Sequence, residues 1–143
     1  MKKYSSITAV LFLMFLGCNN SPKVLAYGSD GCHFCSMTIV DKQHAAQIMT
    51  KKGRSYAFDA TECMLNHLKE IDRQTVALFL VNDYENPGDL VDATQATFLI
   101  SENIPSPMGE FLTAFRDREM AENMQTKSKG ELFTWQELSE RFK

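Results

Sequence analysis

The residues best suited to chemistry fall within eight positions, Asp30-Gly31-Cys32-His33-Phe34-Cys35-Ser36-Met37. Cys32 and Cys35 form a C-x-x-C pair. Cys35 and Met37 stand two residues apart, so an extended segment turns thiol and thioether to one side. A thiolate with a thioether is a soft donor set that suits copper(I), whereas a thioether is a poor zinc ligand. Two or three sulfurs hold such an ion yet leave it open to a competing ligand, which suits transfer. Haem attachment needs His directly after the second Cys, and Ser36 stands there. A zinc ribbon needs a second cysteine pair, which the chain lacks. Cys63 and His67, one helical turn apart, make only a weak mixed site, without the compact paired spacing of closed zinc centres. Thiol–disulfide exchange through Cys32 and Cys35 stays open. Such sites, however, follow a strand and open a helix, and here a polar stretch precedes the motif.

The setting is otherwise ordinary. Of 143 residues 44% are apolar and 23% charged, which excludes long disorder, collagen and coiled coil. A formal charge of -3 provides no general basic surface, so no nucleic-acid partner is expected. Lys2 and Lys3 precede a short apolar run from Ile7 to Leu16, about half the length of a spanning helix, in the layout of a secretory signal peptide. Leu16-Gly17-Cys18 resembles a bacterial lipoprotein cleavage site, with Phe15 where Leu is usual. The expected organisation is therefore a signal peptide over 1–17 and a tether over 18–30 lipidated at Cys18. That describes a lipid-anchored, periplasm-facing protein of the bacterial cell envelope, held to the membrane without a spanning helix. Setting Cys18 aside leaves Cys32, Cys35 and Cys63, an odd number that does not suit a disulfide-stapled domain.

The elements that must position the motif read as α+β, in two small strand-strand-helix-strand units packed together. The first, over 31–86, has strands within Gln43–Thr50 and Arg54–Phe58 around the turn Lys51-Lys52-Gly53. A helix capped by Asp59 runs to about Ile71, and Thr75–Val81 reads as a buried strand. The second, over 87–143, has strands at Leu90–Asp92 and Thr97–Ile100. A helix follows, capped by Ser106 and opened by Pro107, with Phe111, Leu112 and Phe115 on its apolar face. Gly130–Phe133 forms a last strand, and Thr134 with Glu137 caps a terminal helix that buries Trp135, Leu138 and Phe142. On pattern alone Met108 reads as core, Cys63 as a buried small hydrophobe, and His44 and His67 as surface residues. Met49, Met64, Met120 and Met124 read as packing or surface residues. His33 is either a ligand or a hydrogen-bonding loop residue.

Cys32-His33-Phe34-Cys35-Ser36-Met37 resembles the C-x-x-C-x-M signature of the NosL family, lipoprotein accessory factors of nitrous oxide reductase. Gly53-Arg54 before Tyr56-Ala57-Phe58, Asp92-Ala93-Thr94, and Ser106-Pro107-Met108-Gly109 leading into Ala114-Phe115 extend the likeness across the mature chain. The resemblance implies a copper(I) chaperone with a fold likened to organomercurial lyase. It implies as partners nitrous oxide reductase and the ABC-type membrane complex that helps load it. Residue by residue, it implies Cys35, Met37 and Met108 as metal ligands, with Cys32 and His33 assisting or positioning the loop and Cys63 as an extra thiol. No catalysis is expected. The competing readings are a cell-envelope thiol–disulfide oxidoreductase using Cys32 and Cys35, and an enzyme like organomercurial lyase with Cys35, Cys63 and Asp59 in its roles.

Overall fold

The computed structural model describes residues 21–143, so the expected signal peptide, the expected lipidation site Cys18 and the first residues of the expected tether lie outside the described residues. β1 (Ala46–Thr50) and β2 (Ser55–Phe58) form a hairpin whose turn uses Gly53 at φ +78. α1 (Thr61–His67) then leads through a 3-10 turn at Arg73–Thr75 to β3 (Val76–Asn82). β4 (Leu90–Asp92) adds to β3, giving an antiparallel sheet in the order β2-β1-β3-β4. β5 (Thr97–Ile100), β6 (Leu112–Phe115), α2 (Arg118–Ser128) and β7 (Glu131–Thr134) make a second sheet in the order β6-β5-β7. The chain ends in α3 (Trp135–Arg141), opened by the expected capping box of Thr134 and Glu137. Each half is thus a strand-strand-helix-strand unit with its first strand in the centre.

The α+β class and the paired units stand as expected, but several elements move. Leu90–Asp92 belongs to the first sheet, not the second. The helix expected from Ser106 to Phe115 is absent: Gly109 at φ +77 and Phe111 at φ 59 break it, and Leu112–Phe115 pairs with β5. The helix of this unit is α2, which buries only Ala121 and so carries no apolar periodicity to read. Asp59 does not cap α1. Ala60 occupies the N-cap without a side-chain bond, while Asp59 turns inward and the helix stops at His67. His44 and His67 are buried rather than on the surface. His44 sits 2.9 Å from Asp41 through Nδ1 and 3.4 Å from the Thr113 hydroxyl through Nε2. Of the stretch expected as a tether, residues 23–30 lie docked on the domain. Lys23 exchanges two backbone bonds with the Gln47 side chain, at 3.0 and 2.9 Å, and Leu25 is buried.

The two sheets share one core. Ile39, Ile48, Phe58, Met64 and Val81 of the first unit pack in one cluster with Phe98, Leu112 and Leu138 of the second. Burying each such side chain contributes roughly 1.5–3 kcal/mol. Trp135 stacks between the halves, 5.3 Å from Phe79 and 6.0 Å from Phe98. A polar pin crosses the same boundary: the buried Ser106 hydroxyl donates to Glu62 Oε1 on α1 and accepts the Phe111 N–H at 3.0 Å. Burial pushes the Glu62 carboxyl above the ordinary carboxylate range, against the lowering influence of that hydrogen bond.

A proton held more tightly by Glu62 in the fold than in the unfolded chain gives stability that is fully present at acid pH. It is lost as pH rises through the folded value. Glu62→Gln keeps the acceptor and cannot ionise, so urea unfolding of the reduced apo-protein between about pH 4 and pH 8 should show less loss with rising pH in the variant than in the wild type. Gly130 adopts φ +108, and a Cβ there would lie 2.2 Å from the Ile100 carbonyl oxygen. Gly130→Ala should lower the unfolding free energy by at least about 2 kcal/mol in the same assay.

Candidate metal centre

Residues 31–38 form a tight loop closed by a bridge between Gly31 and Thr38. Inside it the Cys32 N–H donates to the Met37 carbonyl at 2.7 Å and the Ser36 N–H to the Cys32 carbonyl at 3.0 Å. Ser36 takes a left-handed φ of 64 to complete the turn. The loop is fastened to β2, an edge strand, by the His33 N–H on the Ala57 carbonyl at 2.8 Å. Its base is held by Ile39 N–H on Asp30 O at 2.8 Å. The Asp30 carboxylate accepts Ala26 N–H at 2.9 Å and pairs with Lys23 at 3.1 Å.

This fastening brings three sulfurs together. The Sγ atoms of Cys32, Cys35 and Cys63 all lie within 4.8 Å of one another, the third coming from α1. All three are free thiols. Cys63 and Cys32 are buried, at 0% and 3% exposure, while Cys35 is half-buried. The sulfurs are not equivalent. The Cys63 thiol beside it, as the protonated partner, and backbone N–H groups, including that of Cys35 at 3.5 Å from Cys32 Sγ, hold the Cys32 thiol well below the usual range despite burial. Cys63, the donor in that pair and itself buried, is pushed up. Burial also raises Cys35, with the neighbouring Cys32 adding to the effect. Asp59 is raised by burial first and then by the charge of Cys32.

Cys32 and Cys35 converge, and Cys63 joins them, which spacing did not foretell. A third thiol 28 positions after Cys35 carries no motif signal; only its position in the expected helix hinted that it could face inward. Met37 follows on the same loop but projects outward, 51% exposed. Met108 is half-buried and packs on the core that also contains Cys32 and Cys63, from a loop held by Ser106. His33 is exposed and stacks on an aromatic group, its ring 4.4 Å from Tyr56 and 4.9 Å from His67. His67 Nε2 is buried without a hydrogen-bond partner, and burial, reinforced by His33, pushes its imidazole down toward the neutral form. Three converging sulfurs form a donor set for a soft ion.

A sequence profile of the NosL family matches residues 24–142. The chain is 26% identical over 125 residues to the copper-binding lipoprotein NosL of Stutzerimonas stutzeri, covering 82% of this chain and 66% of that protein, just under two thirds of its length. Its fold is similar to the crystal structure of the copper chaperone NosL from Shewanella denitrificans, with a TM-score of 0.69 at 20% identity, over 82% of this chain and 93% of that one. With the family profile running from the docked N-terminal segment to the end of α3, this chain belongs to the NosL family.

Proposed function

We propose that this protein is a copper(I) carrier that delivers the ion for assembly of the copper centres of nitrous oxide reductase. The observation that carries the reading is the cluster of three free thiols, with a thioether two residues beyond Cys35. Soft sulfur donors suit copper(I) over harder ions. Cys35, Met37 and Met108 supply the ligand set, with Cys32 and His33 assisting or positioning the loop. The named relatives, a copper-binding lipoprotein and a copper chaperone, support the copper-binding part of this reading. Copper here is cargo, and no reaction is catalysed.

Delivery needs an exposed face, and the loop has one. Among the described residues, Phe34, Met37 and Val40 are exposed large apolar side chains gathered around the site, at 38%, 51% and 66%. They suit transient docking of an acceptor, namely the reductase or its ABC-type maturation complex. Lipid on Cys18 would hold the carrier in the cell envelope, facing the periplasm. No helix of the described residues is long and apolar enough to cross a membrane.

A thiol–disulfide oxidoreductase is the second reading, favoured by the lowered thiol of Cys32 beside two others. An attacking thiolate has to be accessible, and Cys32 is 3% exposed, so the carrier is preferred.

Under anaerobic, reducing conditions the protein should take up one copper(I) ion in competition with a chromogenic chelator. The double variant Cys35→Ala/Met37→Leu should bind at least roughly 100-fold more weakly; equal affinity would overturn the assignment. Val40→Asp should leave chelator competition unchanged while slowing metal transfer to apo nitrous oxide reductase roughly tenfold. Transfer at the wild-type rate would remove the loop face from the docking surface.

A further inference from the structure

The sulfur atoms around the loop are graded in depth. Cys63 is 0% exposed, Cys32 3%, Cys35 half-buried and Met37 51% exposed. Only Cys35 is intermediate in exposure between the buried pair and the exposed thioether. Resting on the copper reading above, we propose that the site offers the ion two positions sharing Cys35: an inner one on Cys32, Cys35 and Cys63, and an outer one on Cys35 and Met37. Cys63 is then a ligand of this chain, and Met37 is the ligand of entry and exit.

The inner position is nearly formed. An ion bonded to three thiolates at about 2.3 Å requires the sulfurs to be roughly 4 Å apart. From a separation of at most 4.8 Å, each sulfur moves inward by no more than about 0.5 Å, within the play of a side-chain rotation. Its walls are fixed from independent directions, Cys63 by α1 and Cys32 by a loop pinned to β2. The Cys35 backbone N–H already points at the Cys32 sulfur, at 3.5 Å, and disperses part of the negative charge that the three thiolates leave on the filled site. The outer position is open to solvent on one side, where a competing ligand can approach.

Movement between the positions is ligand exchange without redox. Copper(I) arriving from outside bonds Cys35 and Met37, and the Cys35 proton goes to solvent. In the inward step the Met37 bond breaks, bonds to the Cys32 and Cys63 sulfurs form, and the protons of both thiols leave to solvent. The outward step reverses this. Retention is thereby assigned to the buried sulfurs and exchange to Met37, so that the two properties respond to different substitutions.

X-ray absorption at the copper edge of the reduced, copper(I)-loaded protein separates the possibilities. Met37→Leu, an exposed substitution, should keep three sulfurs around the copper once loaded, while its transfer to a chelator slows roughly tenfold. A drop to two sulfurs in Met37→Leu would make Met37 the third ligand of a single site and overturn the inference. Cys63→Ala, a small apolar replacement, should lower the sulfur count or lengthen one bond to that of a thioether, and should release copper faster. An unchanged spectrum and unchanged release from folded Cys63→Ala would likewise overturn it, and should that variant not fold, the Met37→Leu sulfur count decides alone. A wild-type protein that takes up no copper(I) would instead defeat the carrier reading, and the two-position site with it.

Discussion

One backbone hydrogen bond, from the N–H of His33 to the carbonyl of Ala57, holds the site together. A buried thiol on α1 cannot recruit partners from its own helix, because the neighbouring turns are committed to the core. The partners have to come from a separate segment brought over the helix. The loop at 31–38 does this by attaching to an edge strand whose outer side would otherwise be unpaired. Once it is attached, Cys32 and Cys35 stand beside Cys63, and the Cys32 sulfur receives the Cys35 N–H at 3.5 Å. The polar backbone of the loop and that of the sheet edge satisfy each other while carrying the sulfurs into place.

The shared core matters for the same reason. Each unit alone is too small to bury a large apolar surface. Packing the two together encloses Phe58, Met64, Phe98 and Leu112 in one cluster and draws the Met108 loop of the second unit onto the core of the first. The hydrogen bond between Ser106 and Glu62 ties that loop to α1 one residue before Cys63. Strain in the loop, with Gly109 and Phe111 at positive φ, is tolerated because both ends are fixed by β5 and β6.

The β hairpin, the long strand β3, the capping box of α3 and the sulfur loop were all legible in the sequence, because each carries a local signal. A turn with glycine, an unbroken apolar run, a Thr and Glu three apart, and a C-x-x-C-x-M spacing depend on neighbours along the chain. What could not be read depends on neighbours in space. Leu112–Phe115 has the apolar content of a short helix and becomes a strand only because β5 offers a free edge. α2 is almost wholly solvated, so no periodicity marked it. Asp59 has the type of a helix cap but turns inward toward Val40 and the Cys32 sulfur. The role of Cys63 follows from the side of α1 that the loop covers, a tertiary fact invisible to spacing.

The clamp between Lys23 and Gln47 determines how far the domain can stray. Four residues separate Cys18 from Lys23, five Cα steps with a fully extended reach of at most about 18 Å. With the lipid on Cys18 as proposed, the folded body is held on a short leash. It can pivot over the bilayer but cannot sweep far from it. Collisions are then confined to a thin layer above the membrane, where a modest number of carriers produces a high local concentration. Lengthening that leash would dilute the encounter without altering a single ligand.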